Sequence, residues 1–167
     1  GDLDNGIIIH EYGHGISNRL TGGSANVGAL NAIQSGGMGE GWSDWWSLMF
    51  TQVSADQQND AYTIGTYVLG QNAQTGAGIR RHPYSFDMTV NPLTYNDFNS
   101  SNQVHDAGEI WASALWDLNW LLINKHGFES DIYNTASSAG NILALQLVMD
   151  GLKLQPANPS FLQGRDA

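Results

Sequence analysis

The residues with the clearest chemical potential are His10-Glu11-Tyr12-Gly13-His14, an H-E-x-x-H segment. A helix turns about 100° per residue, so side chains four apart lie on one face. His10 and His14 can therefore aim two imidazoles at one point. Glu11 sits beside them, rotated enough to miss a metal yet reach a water next to it. Two neutral nitrogens and a nearby carboxylate are the requirements of a hydrolytic zinc site. The competing reading is a helix with a solvated His/Glu face. Gly13 and Gly15 speak against it, because each costs about 1 kcal/mol relative to alanine in a helix interior. A close helix crossing or a crowded metal site would compensate, and at least one of the two glycines is then expected to be packed.

A catalytic zinc usually takes three protein ligands and keeps one position open. The next informative segment is Gly39-Glu40-Gly41-Trp42-Ser43-Asp44-Trp45-Trp46. Glu40 and Asp44 are also four apart, and two carboxylates on one helix face repel unless a cation or donor lies between them. The economical reading makes Glu40 the third ligand. Asp44 then accepts the outer N–H of a ligand histidine, which fixes the imidazole tautomer and raises its basicity. The alternative is a solvated acidic stripe beside a tryptophan core.

Other sites fit less well. The metzincin pattern needs a glycine and a third histidine where this chain has Ser17 and Leu20. With no cysteine, thiolate zinc sites and cysteine nucleophiles are excluded. No G-x-S-x-G turn is present for a serine nucleophile.

The elements that must position these residues read as helices. The first is expected from Asp4, a plausible N-cap, to Leu20, stopped by Gly22-Gly23. Residues 22–37 read as a Gly/Ser/Asn/Ala-rich loop. A second helix then runs to about Phe50, with Trp42, Trp45, Trp46 and Met49 at helical spacing. From about Thr51 to Gln103 the pattern is weak and rich in turn residues, with a short helix expected at Asp60–Leu69. Long irregular stretches in compact domains are usually functional. A third helix is expected from His105 to Lys125, burying Trp111, Leu115, Leu118 and Leu122, with Gly127 as its C-cap. A fourth is expected from Ile132 to Leu154, and Asn158-Pro159 reads as the start of another. His82 and His126 belong to no pattern and read as surface residues.

The chain has 167 residues, which suits one domain, and 41% apolar content with six tryptophans suits a real core. A formal charge of −10 argues against nucleic-acid binding, which needs a basic patch. No apolar run is long enough to span a membrane.

The stretches GDLDNGIIIHEYGHGISNRLTGG, GMGEGWSDWWS, GTYVLG, GIRRHPYSFDM, NPLTYNDF and VHDAGEIWASALWDLNW resemble, in order and over most of the chain, the fungalysin (M36) family of gluzincin metallopeptidases. The resemblance implies a mostly α fold, the helical subdomain of a zincin-like, thermolysin-like peptidase with a long irregular segment. It implies a secreted zinc endopeptidase that hydrolyses polypeptides and favours an apolar side chain on the prime side. One zinc per chain is the implied cofactor; nothing indicates calcium. His10, His14 and Glu40 match the zinc ligands, Glu11 the general base, and Asp44 the carboxylate that orients a ligand histidine. His105 resembles the histidine that stabilises the tetrahedral intermediate. Its place at a helix N-terminus suits a nearby developing oxyanion; the bland alternative is a helix cap. Arg80 resembles the arginine that holds a substrate carbonyl, against a null of simple surface charge.

Two departures stand out. The gap from His14 to Glu40 is longer than in thermolysin itself, which favours the fungalysin branch. Where thermolysin has the aspartate that orients its catalytic histidine, this chain has Ser100, leaving Asp97 or Asp106 as the partner of His105. Tyr84 and Tyr95 are both candidates for the second oxyanion donor. Residues 1–167 are expected to form the helical part of the catalytic domain without its N-terminal β-rich half. That half and a prodomain are the implied partners besides polypeptide substrate, and weak or no peptidase activity is expected from the chain alone. The rival readings are a non-catalytic zinc-binding or interaction module, and a gluzincin aminopeptidase.

Overall fold

The computed structural model describes residues 1–100 and 102–167. Its long elements are α1 (Asn5–Gly22), α2 (Ile33–Thr51), α3 (Val104–His126) and α4 (Gly140–Leu154), followed by a short α5 (Phe161–Asp166). No strand occurs among the described residues; an antiparallel bridge joins Tyr62 to Tyr84. The fold is mostly α, with a long irregular segment between α2 and α3, as the sequence implied.

The first helix starts where its chemistry predicts. Asp4 is its N-cap, accepting a hydrogen bond from the Ile7 amide through Oδ1 and one from the Val68 amide through Oδ2. The cap therefore also pins the irregular segment to the start of α1.

Helix α2 lies between α1 and α3, and α4 packs against α3 and also against the end of α1, where Thr21 Oγ1 donates to the Leu152 carbonyl. Apart from half-buried Glu40, α2 is buried continuously from Gly37 to Met49, as a helix packed on opposite sides must be. Two glycine seams permit this. A Cβ on Gly13 would stand 2.9 Å from Ser43 Oγ and Trp46 Cε3. A Cβ on Gly41 would stand 2.6 Å from the Gly108 carbonyl oxygen, and one on Gly108 would stand 2.6 Å from Glu40 Cβ. Gly13 is thus the packed glycine of the H-E-x-x-H helix, whereas Gly15 faces open space.

Several boundaries differ from the sequence reading. Helix α2 begins at Ile33, inside the expected loop. Its glycine-rich start has poor intrinsic propensity, but contact with α3 outweighs propensity. Its first turn gains a cap from far along the chain: Asn158 Oδ1 accepts from the Asn31 and Ala32 amides and from Ser35 Oγ. Asn158 does this at φ 53, so it is a turn residue and not the start of a helix. The last helix begins instead at Phe161, where Ser160 and Gln163 form a capping box. The expected helix at 60–69 is absent because the Tyr62 backbone pairs with Tyr84. Helix α4 begins at Gly140, not Ile132; before it, the Asn141 side chain bonds the backbone of Glu129.

The core is dominated by Trp45, Trp46, Trp116, Tyr84 and Met38, all fully buried. These aromatic side chains fix the three-layer stack of α1, α2 and α3, and with it the spatial relation of the two motifs.

Candidate metal centre

Helices α1 and α2 bring His10, His14 and Glu40 together, with one potential ligand atom from each within 4.8 Å of the others. The two imidazole Nε2 atoms lie 3.2 Å apart. His10 Nε2 is 3.2 Å from Glu40 Oε2, and His14 Nε2 is 3.7 Å from Glu40 Oε1. Ligand atoms at about 2.0–2.1 Å from a tetrahedral zinc stand about 3.3–3.4 Å apart, so the His10–His14 and His10–Glu40 spacings fit such an ion, while His14 lies nearer the other Glu40 oxygen. Glu40 Oε2 is moreover buried with only the Nε2 atoms of His10 and His105 facing it, at 3.2 and 3.4 Å and without well-formed hydrogen-bond geometry, an arrangement that favours a cation between them.

The electrostatics agree. Burial disfavours charge on His10, but Asp44 and Glu40 overcome it and raise the His10 pKa to about 9. Without a metal the site therefore holds a proton where a cation belongs. Burial also pushes His14 below the usual imidazole range, which keeps it neutral and ligating. For Glu40, burial works against ionisation, yet the neighbouring imidazoles hold its pKa below the ordinary carboxylate value.

Behind the site, Asp44 is only 1% exposed and collects donors from three residues, one on α1 and two in the irregular segment. His10 Nδ1 donates to Oδ1 at 2.7 Å, which orients Nε2 toward Glu40. Arg80 donates through Nε to Oδ2 at 2.6 Å and through Nη2 to Oδ1 at 2.8 Å. The Tyr84 hydroxyl donates to Oδ2 at 2.5 Å. Burial would raise the Asp44 pKa, but Arg80 and His10 outweigh it and hold the group at about 2.

His105, at the start of α3, also faces Glu40, with Nε2 3.4 Å from the Oε2 atom that His10 approaches. The α2–α3 glycine seam brings it there. Its Nδ1 lies 2.7 Å from Gln103 Oε1. Neither expected aspartate fills that position: Asp97 closes a capping box with Thr94, and Asp106 lies beside Arg81. Glu11, next to His10 on α1, is exposed to solvent and free to meet a water or substrate.

The candidate tyrosines separate. Tyr84 is fully buried behind the site, facing Asp44, whereas Tyr95 is exposed and packs on Phe161. Arg80, expected at the substrate, has Nε and Nη2 committed to Asp44, with its side chain 9% exposed. Its neighbour Arg81 bonds the buried Glu109 of α3 through its backbone N–H and its Nε. The tandem arginines thus tie the irregular segment to both α2 and α3. Sequence reasoning missed Gln103 and the Arg81–Glu109 pair, and it expected the Tyr84 hydroxyl at the oxyanion, not on Asp44. These contacts join residues with no periodic relation to their partners, so no local pattern marks them.

Buried His10 and half-buried His14 on one helix, with a carboxylate from the following helix, form a group of the H-E-x-x-H type that could hold a metal ion. The comparisons agree with that class: the sequence profile described as fungalysin metallopeptidase (M36) matches residues 1–167, and the chain belongs to this family. It is 47% identical over 171 aligned positions to the extracellular metalloproteinase mep of Aspergillus fumigatus, covering 100% of this chain and 26% of that protein. It is 45% identical to the extracellular metalloproteinase 2 of Arthroderma gypseum and of Trichophyton rubrum, with the same coverage. The chain thus spans about a quarter of the length of these relatives.

Proposed function

We propose that this chain carries the metal centre of an extracellular zinc endopeptidase acting on polypeptides. The observation that carries the reading is the convergence of His10, His14 and Glu40, with one potential ligand atom from each within 4.8 Å of the others and Glu40 Oε2 buried without a well-formed hydrogen bond. Zinc held by these side chains would supply Lewis acidity toward a carbonyl oxygen and lower the pKa of a nearby water.

The remaining roles fall to the chain. Asp44 holds the Nδ1–H of His10, leaving Nε2 as the ligand atom. Glu11, on the exposed side of α1, takes a proton from the attacking water and passes it to the leaving amine nitrogen. The carbon–oxygen bond forms first, as the carbonyl π pair moves onto its oxygen; the pair then returns and the carbon–nitrogen bond breaks as the amine leaves protonated. His105 donates a hydrogen bond to the oxyanion that develops on the former carbonyl oxygen. The Nη1 donors of Arg80, which no described residue accepts, are those left to hold a substrate carbonyl. The relatives' names support an extracellular setting. Among the described residues no helix is long and apolar enough to cross a membrane.

The test is a peptidase assay on an N-terminally blocked protein substrate, run on the 167-residue chain and on its complete gene product. Glu11→Gln should keep its zinc and lose most turnover in the complete protein. A zinc-loaded Glu11→Gln enzyme with near-normal activity would remove Glu11 from the mechanism. Strict dependence on a free substrate N-terminus would make the enzyme an aminopeptidase.

A further inference from the structure

We propose that Tyr84 is a positioning residue for the metal centre, acting on His10 through Asp44. The proposal rests on the zinc reading above and concerns a residue one layer beyond the ligands and their carboxylate.

The geometry is specific. The Tyr84 ring is fully buried, and its hydroxyl donates to Asp44 Oδ2 at 2.5 Å. Its backbone is fixed as well: the Tyr84 amide donates to the Tyr62 carbonyl at 2.7 Å, and the Tyr62 amide donates back at 2.9 Å. The phenol is therefore a rigid post reaching across 40 residues of sequence to one carboxylate oxygen.

That oxygen has a single other donor, Arg80 Nε, while Oδ1 receives His10 Nδ1 and Arg80 Nη2. A carboxylate pivots about one bond. With the phenol as a fixed donor in addition to the Arg80 guanidinium, Asp44 has one orientation, and His10 inherits it. Without the phenol, Oδ2 keeps only Arg80 Nε, and because the same guanidinium also holds Oδ1, arginine and carboxylate can tilt together as one unit. Asp44 can then rock, and the Nε2 atom of His10 moves with it relative to Glu40.

Basicity argues for the opposite sign. Losing a donor concentrates charge on Asp44 and strengthens its pull on the His10 Nδ1–H, which alone would tighten zinc binding. Positioning dominates here because the three ligand atoms must meet within a few tenths of an ångström. The sign of the effect thus decides between the two accounts.

The experiment is a zinc competition titration against a chelator of known affinity, at one pH, on the full chain and three variants. Wild type should bind one zinc, and His10→Ala should lose it. Tyr84→Phe, which deletes only the hydroxyl, should bind about 3–10-fold more weakly, less than the loss expected for a direct carboxylate partner. Tyr62→Phe should match wild type, because its hydroxyl donates to the Gln57 carbonyl, off this network. Unchanged or tighter zinc binding by Tyr84→Phe overturns the proposal, as does an equal loss in Tyr62→Phe, which would indicate general loosening. If wild type takes up no zinc, or His10→Ala binds normally, the zinc reading fails and this proposal with it. Should Tyr84→Phe not fold, amide exchange on wild type decides. Zinc should slow exchange at the Tyr62 and Tyr84 amides; identical rates with and without metal refute the coupling.

Discussion

Replacing Asp44 with asparagine tests the site most severely, because the substitution preserves shape and changes only charge and hydrogen-bonding sense. Four donors converge on the carboxylate: His10 Nδ1, Arg80 Nε, Arg80 Nη2 and the Tyr84 hydroxyl. An amide offers one acceptor oxygen and turns an NH₂ group toward the rest, so at least one donor meets a donor. Arg80, almost buried, keeps its charge and loses its counter-ion. Removing one partner of a buried pair typically costs about 3–5 kcal/mol, a large share of the ~5–15 kcal/mol that stabilises an ordinary domain. The depressed pKa of Asp44 accounts for a smaller part of this, since it counts only the preference for the ionised form. A drop from 3.8 to about 2 means that folding favours the ionised form by about 2 kcal/mol. Because the folded pKa is depressed, this stabilisation is fully present above pH 3.8 and is lost as pH falls through about 2. Denaturant unfolding of metal-free wild type and Asp44→Asn at pH 7 should therefore differ by about 3 kcal/mol or more. The gap should narrow below pH 4. Zinc affinity should fall about 10–100-fold. A variant within about 0.5 kcal/mol of wild type, with unchanged zinc affinity, would refute the hub.

Further expectations follow from the same contacts. Since metal-free His10 keeps its proton up to about pH 9 while His14 and Glu40 are already in ligating form, zinc uptake at pH 7 should release close to one proton. Calorimetry in buffers of different ionisation enthalpy measures this, and release of none would contradict the assigned protonation. Gly13→Ala forces a methyl against Ser43 and Trp46 and should destabilise the chain by about 1–3 kcal/mol. Gly15→Ala meets nothing and should stabilise it by about 0.4–1 kcal/mol; equal melting shifts for the two would show that the α1–α2 seam is misplaced. His105→Ala in the complete enzyme should lower kcat by about 10²–10³ with zinc content intact, and a change confined to KM would make it an ordinary binding residue.

Much of the site was legible in the chain because its key spacings are local. His10 with His14 and Glu40 with Asp44 are helical neighbours, and a helix places residues four apart on one face whatever surrounds it. The Asp4 cap and the Gly127 stop are equally local, and both occur where the sequence puts them. Tertiary packing decided the rest. Glycines near the start of α2 read as loop, yet they are where α3 approaches most closely, so burial reversed their local preference. That approach carries His105 to Glu40, and no spacing in the sequence encodes it. Arg80 and Tyr84 carried substrate-side expectations, and the fold turns both toward Asp44. A buried carboxylate must be satisfied by whichever donors the fold brings near it. Periodicity along one helix reveals which residues share a face; only the packed structure decides what that face meets.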